Sequence, residues 1–99
     1  MKTKKTELDP ARIERCADYF RTLSHPMRLK VLDILAKGPK CVGEIQKALK
    51  IAQPPTSHHL KLMVKIGVLN YKRSGKNTFY SLVPGIVEKT QKLIDQITK

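Results

Sequence analysis

The stretch QPPTSHHLKLMVKIG, residues 53–67, sets two prolines ahead of a run with helical periodicity and two adjacent histidines. Advancing about 100° per residue from Thr56 places Leu60, Leu62, Met63, Val64 and Ile66 on one broad arc, with His59 among them. Ser57, His58, Lys61 and Lys65 fill the opposite arc. The two histidines therefore point in different directions. Metal binding from one helix needs ligands three or four positions apart so that they share a face, and adjacent histidines fail that test. The stretch also lacks a carboxylate to orient an imidazole, so acid–base catalysis has no support. His59 reads as a packed, hydrogen-bonded core side chain. His58 shares its face with a small hydroxyl and two lysines, a mixture able to touch base edges and phosphates in a major groove. Pro54 and Pro55 suit a first helical turn, whose N–H groups have no internal acceptor. The same turn would offer its remaining N–H groups, at the positive end of the helix dipole, to a phosphate.

On the N-terminal side, CVGEIQKALK (41–50) puts Val42, Ile45 and Leu49 on one side of a short helix, and IAQ connects it tightly to residues 53–66. Two short helices joined this closely predict a helix-turn-helix. Upstream, Asp9 and Pro10 make an N-cap and first turn, followed by Ile13, Cys16, Ala17, Phe20 and Leu23 at helical spacing. A second helix follows Ser24, His25 and Pro26, carries Met27, Val31, Ile34 and Leu35 as its apolar stripe, and stops at Gly38 and Pro39. On the C-terminal side, VLNYKRSGKNTFYSL (68–82) is β-branched and aromatic around Ser74, Gly75, Lys76 and Asn77, which predicts a hairpin over about 69–82 with a basic tip. Pro84 and Gly85 open a last helix with an apolar stripe of Ile86, Val87, Leu93, Ile94 and Ile97. So much apolar surface on a terminal helix needs the first helix, a second subunit, or both, as its partner.

The chain has 99 residues, enough for one modest core. Residues 9–99 read as a single domain, and residues 1–8 as a flexible basic tail. Twenty Lys and Arg against eight Asp and Glu give a net charge of +12, which calls for a polyanion. No apolar run reaches transmembrane length, no helix pairs a basic face with aromatic anchors, and no secretory leader is visible. A cytoplasmic protein that does not engage membranes is expected. Cys16 and Cys41 form neither a CxxC pair nor a disulfide framework.

RTLSHPMRLKVLDIL, CVGEIQKALKIAQPPTSHHLKLMVKIGVL and YKRSGKNTFYSL together resemble, in order and spacing, the ArsR/SmtB family of winged-helix repressors over nearly residues 12–83. The resemblance implies a mainly α fold of about five helices with a two-stranded wing, dimerising through its first and last helices. It implies a repressor that binds double-stranded DNA at a palindromic operator, with half-sites roughly 34–36 Å apart. The family's DNA contacts carry over to Gln53, Thr56, Ser57 and His58 in the recognition helix and to Arg73, Lys76 and Asn77 in the wing. Lys61 joins them from its place on the polar arc.

Family members release DNA on a metal, metalloid or redox signal. One family site uses Cys-x-Cys at the start of the third helix; CVGEI keeps Cys41 but has Gly43 at the second position. A second site needs histidines on the last helix, which here offers Glu88 and Asp95 only. Cys16 lies on an apolar face, where a buried structural thiol is the ordinary explanation. Cys41, near Lys40 and a helix start, is placed for thiolate formation. A Cys16 and Cys41 dithiol or thiophilic-metal switch, structural cysteines with another effector, and constitutive binding all remain open. A winged-helix docking module and a nonspecific DNA-binding protein are the rival functions, and the charge weighs against the first.

Overall fold

Asp9 and Pro10 start the first helix as their chemistry requires. The Asp9 carboxylate accepts from the Ala11 N–H at 3.3 Å, and Pro10 takes a position that needs no N–H. The computed structural model describes residues 9–98, so the basic tail expected over 1–8 lies outside the described residues. Helix α1 is Pro10–Leu23 and α2 is Pro26–Leu35; His25 caps α2 by accepting the Met27 N–H on Nδ1 at 3.2 Å. Then come β1 (Lys40–Cys41), α3 (Val42–Leu49), α4 (Gln53–Lys65), β2 (Leu69–Ser74), β3 (Asn77–Leu82) and α5 (Ile86–Thr98).

The helices and the hairpin fall where periodicity and turn residues place them. The expected two-stranded wing, however, is part of a three-stranded antiparallel sheet in the order β1-β3-β2. Lys40 pairs with Tyr80 and Cys41 with Phe79, so the free edge of β3 is covered by a strand of two residues. So short a strand carries no alternation to read. The hairpin pairs Leu69 with Leu82 through Ser74 with Asn77. Gly75 takes φ +62° at the first position of its two-residue loop, a conformation that favours glycine.

The core lies where α2, α3 and α4 meet the base of the wing. Val31, Leu35, Ile45, Leu49, Leu60, Met63, Val68 and Leu69 are buried there, with Tyr19 of α1 closing one side. Truncating a fully buried member such as Leu60 or Met63 to Ala should cost about 2–5 kcal/mol, because the lost transfer energy adds to a cavity. Along α1, Cys16 and Tyr19 point inward while Ile13 is exposed. Tyr19 is hydrogen-bonded to Thr90, whose hydroxyl also reaches the Ile86 carbonyl at 2.9 Å, so α1 holds the start of α5. Val87, Ile94 and Ile97 of α5 stay largely exposed, Val87 by 71%. Ile13 of α1 is exposed as well, so both outer helices leave apolar side chains uncovered.

Candidate nucleic-acid interface

The helix-turn-helix is made by α3, a three-residue turn and α4. Lys50 ends α3 in the left-handed conformation (φ 60°), its N–H bonded to the Gln46 carbonyl at 2.8 Å. At the start of α3, Glu44 accepts the Cys41 N–H at 2.9 Å, and this bond holds its carboxyl below the ordinary carboxylate range.

Helix α4 has two chemically different sides. Thr56, His59, Leu60 and Met63 are buried, while His58, Lys61 and Lys65 are exposed and Ser57 is half-buried. Gln53 occupies the first position of the helix. Thr56 departs from its expected place among the DNA contacts. Its side chain is 0% exposed and its hydroxyl donates to the Ala52 carbonyl at 2.9 Å, so it fastens the first turn internally. The start of α4 is also a poorer anion cradle than expected. Pro54 and Pro55 carry no N–H, and the Thr56 N–H already donates to Ala52 at 3.3 Å, which leaves at most that of Gln53. A phosphate at this end would have to be met by side chains.

His59 is the core histidine its arc predicts. Its Nδ1 accepts from Arg28 Nε at 3.1 Å, and Arg28 Nη1 donates to the Thr22 carbonyl at 3.0 Å. The His25 ring meets it edge to face, centroids 4.7 Å apart. Burial holds the His59 pKa below its ordinary value, helped by His25, Arg28 and His58, which keeps Nδ1 free to accept. Arg28 thus ties the end of α1 and the N-terminal turn of α2 to the back of the recognition helix. An arginine across from a core histidine 31 positions away leaves no local signal in the sequence.

The wing exposes Arg73 on β2, Lys76 in the loop and Asn77 at the start of β3. Tyr71 and Tyr80 lie opposite each other across the strands, ring centroids 6.2 Å apart, and burial raises the Tyr80 pKa. Cys16 is buried and Cys41 half-buried, both as free thiols. Among the described residues no three His, Cys, Asp or Glu side chains converge to hold a metal ion, and no helix is long and apolar enough to cross a membrane.

A helix-turn whose second helix presents a polar, acid-free face, followed by a basic hairpin, defines a winged helix-turn-helix DNA-binding domain. Residues 25–71 match the family described as bacterial regulatory protein, arsR family. An uncharacterised helix-turn-helix transcriptional regulator of Methanocaldococcus jannaschii is 36% identical over 85 residues, spanning 85% of this chain and 96% of that protein. The chain belongs to the ArsR family and is a transcriptional regulator of that type. The crystal structure of the transcriptional repressor BigR from Xylella fastidiosa is similar at a TM-score of 0.67 and 30% identity, over 90% of this chain and 89% of that one. A solution structure from Mycobacterium bovis, described as a homodimeric winged helix-turn-helix DNA-binding domain, shares the fold at a TM-score of 0.74 and 24% identity, over 90% and 82% of the two chains.

Proposed function

We propose that the protein is a dimeric, sequence-specific repressor acting in the cytoplasm on a two-fold-symmetric operator, with α4 in the major groove and the wing beside the minor groove. The observation that carries this is the division of α4. Ser57, His58 and Lys61 face outward together, while Thr56, His59, Leu60 and Met63 lock the other side into the core. Gln53, at the first position of the helix, is carried over from the family as a further contact, and Arg73, Lys76 and Asn77 follow the backbone from the wing. The exposed stripe of Val87, Ile94 and Ile97 with Ile13 supplies the surface for a second copy, in line with the homodimeric Mycobacterium domain.

A selection of bound duplexes from random DNA tests the reading. It should return an inverted repeat with half-sites about one helical turn apart. Ser57→Ala or His58→Ala should relax base preference, whereas Lys76→Ala should weaken all duplexes alike and lower the salt slope by about 1. Equal losses on every sequence from both kinds of change would make the protein a nonspecific DNA coat. Lack of any preferred duplex, with residues 57–65 dispensable, would make it a docking module. If DNA release is thiol-dependent, Cys41 is the thiol a redox or thiophilic signal reaches, since Cys16 is buried. Operator release by an oxidant that survives replacement of both cysteines by Ser removes that arm.

A further inference from the structure

We propose that the cleft between α1, the C-terminal end of α4 and α5 is an effector site for an amphipathic organic anion, a carboxylate or sulfonate on an apolar body, and that filling it weakens DNA binding. The DNA half of this inference rests on the repressor reading. The cleft holds about 460 Å³, within the range of small-ligand pockets. Its apolar wall is Tyr19, Ile66 and Leu93 beside the Cys16 thiol. Arg12, Arg15, Lys65 and Lys89 surround it, four cations against the single carboxylate of Asp18, which is itself bridged to Arg21. An apolar body inside and a negative head among the cations is the complement of that lining.

Lys89 links the cleft to the recognition helix. Its ammonium lies 5.8 Å from the Tyr19 ring centroid and so close to Gly67 that a Cβ there would stand 2.8 Å from Nζ. Gly67 directly follows Ile66, the C-cap of α4, so this ammonium stands at the negative end of the recognition helix. An anion in the cleft would draw this ammonium toward itself and away from the helix end. Coupling to DNA then requires that the setting of α4 respond to the loss of this charge, which is the differential contact that linkage between two sites demands. Lys89 and Gln96 lie about 200° of helix from Val87 and Ile94, whereas Leu93 and Ile97 fall within about 40° of each other, so the cleft borders the proposed dimer surface along one edge of α5.

The test uses the full chain without DNA and titrates it calorimetrically with decanoate, with decanol and decylammonium as neutral and cationic counterparts. Decanoate should bind once per chain, about 10-fold more tightly than decanol, with no binding of decylammonium. Arg15→Gln and Lys89→Gln should each weaken decanoate about 5- to 10-fold, while Lys47→Gln, an equal charge loss on α3, should not. Decanoate should also lower affinity for the selected duplex, and Lys89→Gln should blunt that effect. Equal binding of decanol, or equal effects of all three substitutions, overturns the site. Decanoate binding that leaves duplex affinity unchanged overturns its role as effector. Absence of any preferred duplex sinks the repressor reading and the DNA half with it, whereas failed decanoate binding beside intact operator preference sinks this inference alone.

Discussion

Replacing each of the two adjacent histidines by alanine should give opposite phenotypes. His59 is 8% exposed and its Nδ1 accepts from Arg28 Nε at 3.1 Å. A hydrogen bond to a charged group contributes about 1.5–3 kcal/mol, and because Arg28 is half-buried, water recovers part of the orphaned donor, so the lower end applies. Loss of the ring packed 4.7 Å from His25 adds about 1 kcal/mol. His59→Ala should therefore cost about 2–3 kcal/mol, roughly 10–20 °C in Tm for a domain of this size, while the order of preference among duplexes is retained. Pairing it with Arg28→Ala in a double-mutant cycle should give a coupling of about 1–1.5 kcal/mol. His58 is exposed, so His58→Ala should stay within about 0.5 kcal/mol of the parent in urea unfolding. In competition anisotropy it should lose about 1–3 kcal/mol of discrimination at one base pair. Equal stability losses in the two variants, or a His59→Ala protein as stable as the parent, would refute the assignment of inner and outer faces.

Thr56→Val keeps the shape of a fully buried side chain but deletes its bond to Ala52; about 1 kcal/mol of stability should go, seen in urea midpoints, with base preference unchanged. Val87→Asp puts a charge on an exposed part of the α5 stripe, in a first turn that tolerates acids; sedimentation should show a monomer with native helicity, and a persistent dimer would move the interface elsewhere. Stability should also respond to pH through His59, whose folded pKa is depressed. Below the unfolded value of about 6.5 the unfolded chain takes up the proton first, so this contribution is complete above that pH and declines as pH falls toward the folded pKa. Urea midpoints at pH 8 and pH 5.5 check it: the drop should be smaller in His59→Ala than in the parent.

Much of this was legible locally. The apolar spacing of Ile45, Leu49, Leu60 and Met63 reports which side of each helix is buried, because burial repeats with the helical turn. Gly75 marks the hairpin loop because few other residues accept its φ. The same arc placed His58 outside and His59 inside. Thr56 falls within about 20° of the middle of the same apolar arc, so its burial was legible too, although the family resemblance set it among the DNA contacts. Two features had no local signature. The pairing of Lys40 with Tyr80 joins segments 40 positions apart through a strand too short to alternate. Arg28 looks like a surface cation until the end of α1 and the back of α4 are brought together around it.

The sequence by itself determined the order and kind of the elements, the two-sided character of α4 and the positive charge, since each is a property of neighbouring residues or of composition. Only the tertiary structure decided that His59 is spent on Arg28, and that four cations gather around one apolar cleft behind the recognition helix. Hydrogen-bond partners and pockets are made between elements distant in the chain, and a periodic pattern records only that a face is covered, never by what.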